Sequence, residues 1–322
     1  MITQKQAIKD DMLRTIVQVA RLYYESDMSQ QAIADKLGVS RSLIAKYLLQ
    51  SKEQGIVRIR VVDPSESSEE LAEQIRQRFG LQHVEVLPHA HASEELTLHG
   101  VAYAAAQYFT SHVQKGDKVG LAWGRSVKGI VDQLPALQVD VKDIEVVPLL
   151  GESSNPRLYS RMNELVEQMA NTVAALPRYL FYPMTVGTKS LRTRIIKETA
   201  FTEVSRLWDQ LDWAFIGIGS NPPTEGMAVY VDDRCLASLN KTGAIGDICC
   251  RYFDDDGRFV KTAFGDQIIG IDADQLKSTK NLVAVAAGSA KASAVRGALK
   301  TGLIDALFID QPLATSILEG RE

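Results

Sequence analysis

The sequence predicts an α/β protein in two parts: a small helical head ending in a β wing, and a larger body built on a parallel sheet. Three observations predict this. The chain has 322 residues, and single cores rarely grow past roughly 250–300. Apolar residues recur at three- and four-residue steps near the N-terminus, as on amphipathic helices. Further on, seven short apolar runs alternate with helical stretches, the pattern of a parallel sheet with helices on both faces.

In the head, Met12, Ile16, Val19, Ala20 and Tyr23 mark one face of a helix over Asp10–Tyr24. Ser29 reads as the N-cap of a second helix with Ala32, Ile33 and Leu37 inward. Gly38 supplies the left-handed residue that ends it. Ser40 caps a third helix whose buried stripe is Leu43, Ile44, Tyr47 and Leu48, and which ends near Gly55. "IVRIRVV" follows as an alternating strand. "DPSESSEE", Asp63 to Glu70, is a polar break with a proline, dividing the chain into domains 1–62 and 63–322. In the body, a helix with Leu71, Ile75 and Phe79 comes first. The strand candidates are "HVEVL", "KVGLAW", "IEVVPLL", "YLFYP", "WAFIGIG", "LVAVAAG" and "ALFID".

Composition narrows the function classes. Hydrophobic residues make up 45% and charged residues 24% of the chain, an ordinary balance for a packed domain. No apolar run approaches the ~18 residues of a membrane span. "MITQKQAIKDDMLRT" lacks the apolar stretch of a secretory signal, so a cytoplasmic protein with no membrane partner is expected. Cys235, Cys249 and Cys250 make neither a disulfide framework nor a CxxC metal pair. They read as reduced, small apolar residues, with adjacent Cys249 and Cys250 on opposite faces of a strand. The net charge of −4 hides an asymmetry: residues 1–60 carry ten Lys/Arg and six Asp/Glu, so the remainder is −8. A basic head on an acidic body directs the head alone toward a polyanion.

The head has the layout of a helix-turn-helix. Ala34 is the small residue where two helices cross, Gly38 the turn, and Ile44 with Tyr47 or Leu48 the anchors of the second helix. Outside that apolar stripe, Ser40, Arg41, Ser42, Ala45 and Lys46 lie at the start and in the N-terminal half of the helix, the part that enters a major groove. Arg41 and Lys46 are suited to guanine edges or phosphates. Gln30 and Gln31 are placed for the DNA backbone. With the strand that follows, this is a winged helix-turn-helix, and double-stranded DNA is the expected partner.

In the body, four strand ends look alike: Trp123-Gly124-Arg125-Ser126, Gly151-Glu152-Ser153-Ser154, Gly217–Ser220, and Gly288-Ser289-Ala290-Lys291. Open α/β sheets bind ligands at the carboxyl ends of their strands. Glycine and serine at a helix start offer N–H and hydroxyl donors to an anion, and Arg125 and Lys291 add charge. A phosphorylated or otherwise anionic small ligand is expected. No Walker loop, zinc pattern or GxSxG elbow occurs, and "GIGS" is incomplete as a dinucleotide fingerprint. His89, His91 and His99 read as a surface loop rather than a metal site, and Asp254–Gly257 as a hairpin tip. No metal or cofactor is expected.

"ARLYYESDMSQQAIADKLGVSRSLIAKYLLQSKEQGIVRIRVVDP", "GLAWGRSV", "WDQLDWAFIGIGS", "GAIGDICCRYFDDDGR" and "VAVAAGSAKASAVRGALKTGLIDALFIDQPLA" together resemble the SorC family of bacterial transcriptional regulators. The blocks run in order through almost the whole chain. The resemblance implies a DNA-binding domain and a Rossmann-like effector domain similar to the sugar-phosphate isomerase and glucosamine-6-phosphate deaminase fold. It also implies a sugar or sugar-phosphate effector and a homodimer or homotetramer. The effector positions it carries over are Gly124, Arg125 and Ser126, Gly219 and Ser220, Gly246 and Asp247, and Lys291. Two departures stand out: some relatives have Gly-Thr-Thr at Gly124-Arg125-Ser126, and some have a lysine near Leu150, so an imine from that position is not supported here. The expected function is regulation of a carbohydrate operon, without enzymatic activity. The alternative is an isomerase- or deaminase-like enzyme with Asp247 or Glu152 as base.

Overall fold

A computed structural model of the chain describes residues 4–57, 64–88, 93–137, 139, 141–153, 161–223 and 227–320. The chain divides into two compact units, Met1–Val62 and Asp63–Glu322.

The first unit holds α1 (Gln4–Tyr24), α2 (Gln30–Leu37) and α3 (Arg41–Glu53). Its core is Val19, Ile33, Ala34, Ile44 and Leu48, flanked by Leu22, Leu37 and Tyr47. Ser29 Oγ accepts from Ala32 N–H and Ser40 Oγ from Leu43 N–H, each at 3.2 Å, so both expected caps start their helices. Gly38 closes α2 at φ 68°, where a side chain costs energy and glycine does not. Met12 and Ala32, expected inward, are exposed. α1 is longer than its apolar stripe suggests. The strand expected from Ile56 to Val62 falls largely on residues outside those described.

The second unit opens with α4 (Pro64–Phe79). The break expected over Asp63–Glu70 is thus mostly helix. Proline suits a first helical position because its missing N–H needs no partner there. There follow β1 (His83–Leu87), α5 (Glu94–His112), β2 (Lys118–Leu121), α6 (Arg125–Gln133), β3 (Glu145–Pro148), α7 (Met162–Thr172), β4 (Leu176–Pro177), α8 (Lys189–Ile195), α9 (Thr199–Trp208) and β5 (Trp213–Gly217). Next come β6 (Gly219–Ser220), α10 (Asp233–Lys241), β7 (Gly246–Ile248), β8 (Arg251–Phe253), α11 (Ala273–Ser278), β9 (Asn281–Val285), α12 (Ala292–Lys300), β10 (Ala306–Asp310) and α13 (Gln311–Glu319).

Among the described residues seven strands form one sheet in the order β1-β10-β9-β5-β2-β3-β4, every pair parallel. Its central strands are apolar on both faces, as a sheet covered on both sides requires. Phe109 of α5 packs edge-on against Trp213 and Phe215 of β5. From β2 the chain proceeds to β3 and β4 on one side, and from β5 to β9 and β10 on the other. The pair β2/β5, with Leu121 opposite Phe215, is therefore the switch point, where such sheets open a crevice.

Two strand-level expectations need correction. "YLFYP" is not a strand: β4 is Leu176–Pro177, and Phe181 is 79% exposed. The backbone of Leu180 is bonded by the Asn163 side chain, which accepts from its N–H and donates to its carbonyl, rather than by a strand. Nor do Cys249 and Cys250 sit on opposite faces of a strand. They are the two turn residues of the β7–β8 hairpin, at φ 50° and 59°, as a type I′ turn demands. The Asp254–Gly257 hairpin tip is as expected: Asp254 Oδ1 accepts from the N–H groups of Asp256 and Arg258.

Candidate functional site

A cavity of about 120 Å³ opens at the carboxyl ends of β2, β5 and β9. One wall is the β2–α6 loop, Ala122 to Ser126, and a second is Gly217, Ile218 and Gly219 after β5. Asp247 and Cys249 come from the β7–β8 hairpin, Ala287 and Lys291 from the segment after β9, Glu94 and Leu98 from α5, and Met227 completes the ring.

Local chemistry explains each position. Gly124 has φ 123° and precedes α6, whose start no side chain caps. The first turn of a helix carries N–H groups without intrahelical acceptors and a partial positive charge. That turn faces the cavity, with Ser126 buried beneath it. Arg125 Nη2 donates to Glu94 Oε1 at 3.2 Å. Gly288 (φ 88°) donates its N–H to Asp310 Oδ1, starting the short turn that delivers Lys291. Lys291 Nζ lies 3.4 Å from the carbonyl oxygen of Ile218.

Asp247 is buried, and its Oδ2 accepts the N–H of Cys250 at 2.9 Å. Burial pushes its carboxyl up to about 6, against the pull of that hydrogen bond and of the Lys291 charge. Burial likewise pushes the Cys249 thiol up to about 12, reinforced by the Asp247 charge, so Cys249 offers the cavity a neutral thiol. Arg251 holds the hairpin in place by donating to the carbonyls of Ile271, Gly265 and Gly270.

Of the body positions singled out in the sequence, Trp123, Gly124, Arg125, Ser126, Gly219, Asp247 and Lys291 meet at this cavity. Gly151, Glu152, Ser220 and Gly246 do not line it. A Cβ on Gly151 would lie 2.5 Å from the carbonyl oxygen of Tyr182, so that glycine permits a backbone approach. The Glu152 carboxylate accepts the N–H groups of Met162 and Asn163 at 3.1 and 2.7 Å, capping α7. Gly246 lets β7 pair with β6, since a Cβ there would meet the Gly219 carbonyl oxygen at 2.6 Å. Ser220 Oγ donates to the Pro222 carbonyl. Glu94, Leu98, Met227 and Cys249 line the cavity without having been singled out as ligand positions. Ser93 capping α5 with Glu94 in its first turn is a legible helix start, but nothing local aims it at Arg125.

In the first unit, Arg41, Ser42, Ala45 and Lys46 are exposed along one face of the N-terminal half of α3. The Ser40 hydroxyl is engaged as the cap and lies 3.0 Å from Ser42 Oγ. Gln31 is exposed and donates to Asp35 Oδ1, and Gln30 is half-buried. His89 and His91 lie outside the described residues, and His99 is exposed on α5. Among the described residues no cluster of three His, Cys, Asp or Glu groups is placed for a metal, and no helix is long and apolar enough to cross a membrane.

Residues 63–319 match the family model Sugar-bind, a sugar-binding domain. The chain is 31% identical over 305 residues to the deoxyribonucleoside regulator of Bacillus subtilis, covering 94% of this chain and 96% of that protein. It is 31% identical over 314 residues to the sorbitol operon regulator of Klebsiella pneumoniae, covering 96% and 99%. The crystal structure of full-length SorC from Klebsiella pneumoniae superimposes with a TM-score of 0.74 at 30% identity, covering 95% of this chain and 99% of that one.

Proposed function

This chain belongs to the SorC-like family of sugar-binding transcriptional regulators, and from that premise we propose how its two units divide the work. The protein is a DNA-binding regulator of a carbohydrate operon, controlled by a sugar effector. Residues 1–62 are its winged helix-turn-helix, with α3 in the major groove. Arg41, Ser42, Ala45 and Lys46 face the bases and nearby phosphates, and Gln30, Gln31 and Ser40 face the backbone. Residues 63–322 bind the effector and assemble two or four copies, so that paired heads meet a near-palindromic operator.

The effector is a sugar phosphate. The observation that carries this reading is the convergence of the α6 start, Arg125 and Lys291 on one cavity at the sheet's switch point. Phosphate suits the uncapped helix start and the two cations. Asp247, Ser126 and Trp123 suit the hydroxyls and the ring of a sugar. The effector shifts operator affinity by its differential affinity for two quaternary states, typically about 1–3 kcal/mol. Against the enzyme alternative, the Glu152 carboxylate is engaged at the start of α7 and the relatives are named as regulators.

Fluorescence anisotropy of labelled DNA from upstream of the protein's own operon, with and without sugars and sugar phosphates, tests the reading. Salt-sensitive binding shifted by a phosphorylated compound and not by its free sugar is the expected result. A shift by the free sugar alone refutes the phosphate assignment. Loss of all specific binding refutes the role of α3.

A further inference from the structure

We infer that Glu94 is an internal competitor for the effector's anionic group, seated on Arg125 until that group displaces it; the inference rests on the reading of this cavity as the effector site. Glu94 is the first residue of α5 and Arg125 the first of α6. The two helix starts meet at the cavity, where Arg125 donates to Glu94 at 3.2 Å.

The charges of the cavity make this contact a gate. Its wall carries two cations, Arg125 and Lys291, and two carboxylates, Glu94 and Asp247. Lys291 acts on Asp247 while Arg125 holds Glu94, so among the described lining residues these four charges nearly cancel. With Glu94 withdrawn, an entering dianion meets two cations and one carboxylate among the described charged groups of the wall. Its withdrawal gives the newcomer the Arg125 Nη2 donor that Glu94 holds, and a guanidinium matches phosphate geometry.

The contact is also weak enough to open. The Arg125 and Glu94 side chains are 35% and 59% exposed, and ion pairs in that setting are worth at most about a fivefold preference. A phosphate bound by Arg125 and the α6 start makes more charge-assisted hydrogen bonds than the one Arg125 Nη2 donates to Glu94. An uncharged sugar has no group to exchange for Glu94 and leaves the pair closed. Glu94 therefore sets a threshold that selects for charge on the ligand.

The test uses the full-length protein with inorganic phosphate as probe, by isothermal titration calorimetry at pH 8 and constant ionic strength. Glu94→Gln is compared with wild type, Arg125→Gln and Glu95→Gln. Glu95 lies in the same first turn and removes the same charge, yet does not line the cavity. The expected result is phosphate binding about two- to fivefold tighter in Glu94→Gln, little change in Glu95→Gln, and at least about tenfold weaker binding in Arg125→Gln. Unchanged or weaker binding in Glu94→Gln, with Arg125→Gln still weakened, overturns the competitor and leaves the effector-site reading standing. Equal tightening by Glu94→Gln and Glu95→Gln also overturns it, as a diffuse charge effect. No phosphate binding by any of the four proteins, or full affinity in Arg125→Gln, overturns the effector-site reading and the competitor with it.

Discussion

Asp247 and Gly219 touch across the β6–β7 pair so closely that a Cβ on Gly219 would lie 2.0 Å from Asp247 Oδ1. Neither group has room to give. Asp247 is tied to the Cys250 N–H at 2.9 Å, and Gly219 is part of the cavity wall. Gly219→Ala should therefore displace the carboxylate and weaken effector binding at least about tenfold, with a loss of about 1–3 kcal/mol in stability from overpacking. Calorimetric titration with the effector and thermal denaturation measure the two effects. A variant with wild-type affinity would show that Asp247 does not act on the ligand.

Asp247 should also set a pH dependence of stability. Its carboxyl is raised from 3.8 to about 6 by burial, so the folded state binds the proton more tightly than the unfolded chain. The stabilisation is full below about pH 4 and is lost as pH rises through about 6. Asp247→Asn removes this term. Relative to wild type, the variant should gain on the order of 2 kcal/mol between pH 4 and pH 7.5, read from urea unfolding at both pH values. A constant difference between the proteins would contradict the raised carboxyl.

The exposed face of α3 predicts two distinct DNA phenotypes. Arg41→Ala should cost about 1–3 kcal/mol on the operator and relax selectivity at one base pair. Lys46→Ala should weaken binding evenly across sequences and lower the salt slope by about one. Anisotropy titrations on operator and scrambled DNA over a salt series separate the two. Unchanged operator affinity in Arg41→Ala would remove that residue from the interface.

Thiol reactivity should follow burial. All three thiols are raised by burial, but Cys249 and Cys250 are buried while Cys235 is half-exposed. Iodoacetamide at pH 8 should label Cys235 first and leave the pair unmodified until the protein unfolds, as mass spectrometry of timed digests reads. Early labelling of Cys249 would mean that the cavity admits solvent freely to the turn.

Much of the head was legible because its signals are local. Ser29, Gly38 and Ser40 act on backbone groups within three or four residues, and the Ile33, Ile44 and Leu48 stripe follows from helical spacing. The strand ends around Trp123–Ser126, Gly217–Gly219 and Lys291 were legible for a similar reason: strand, glycine and helix follow one another along the chain. Glu152 misled because a carboxylate beside a glycine at a strand end looks the same whether it faces a ligand or a helix start. Cys249 and Cys250 misled because a type I′ turn usually announces itself with asparagine and glycine. Here the hairpin imposes left-handed backbone on two cysteines instead.

Spacing and local chemistry in the sequence set the two-part organisation, the helix caps and most of the apolar strands. These depend on spacing and on backbone chemistry within a few residues. Long-range packing sets which strand ends share a cavity, that Glu94 faces Arg125 across 31 positions of chain, and that Asp247 is buried against Gly219. The reason is that strand order in a parallel sheet is set by how helices and strands pack together. That packing brings β2 beside β5 and β9 near both, although long stretches of sequence separate them.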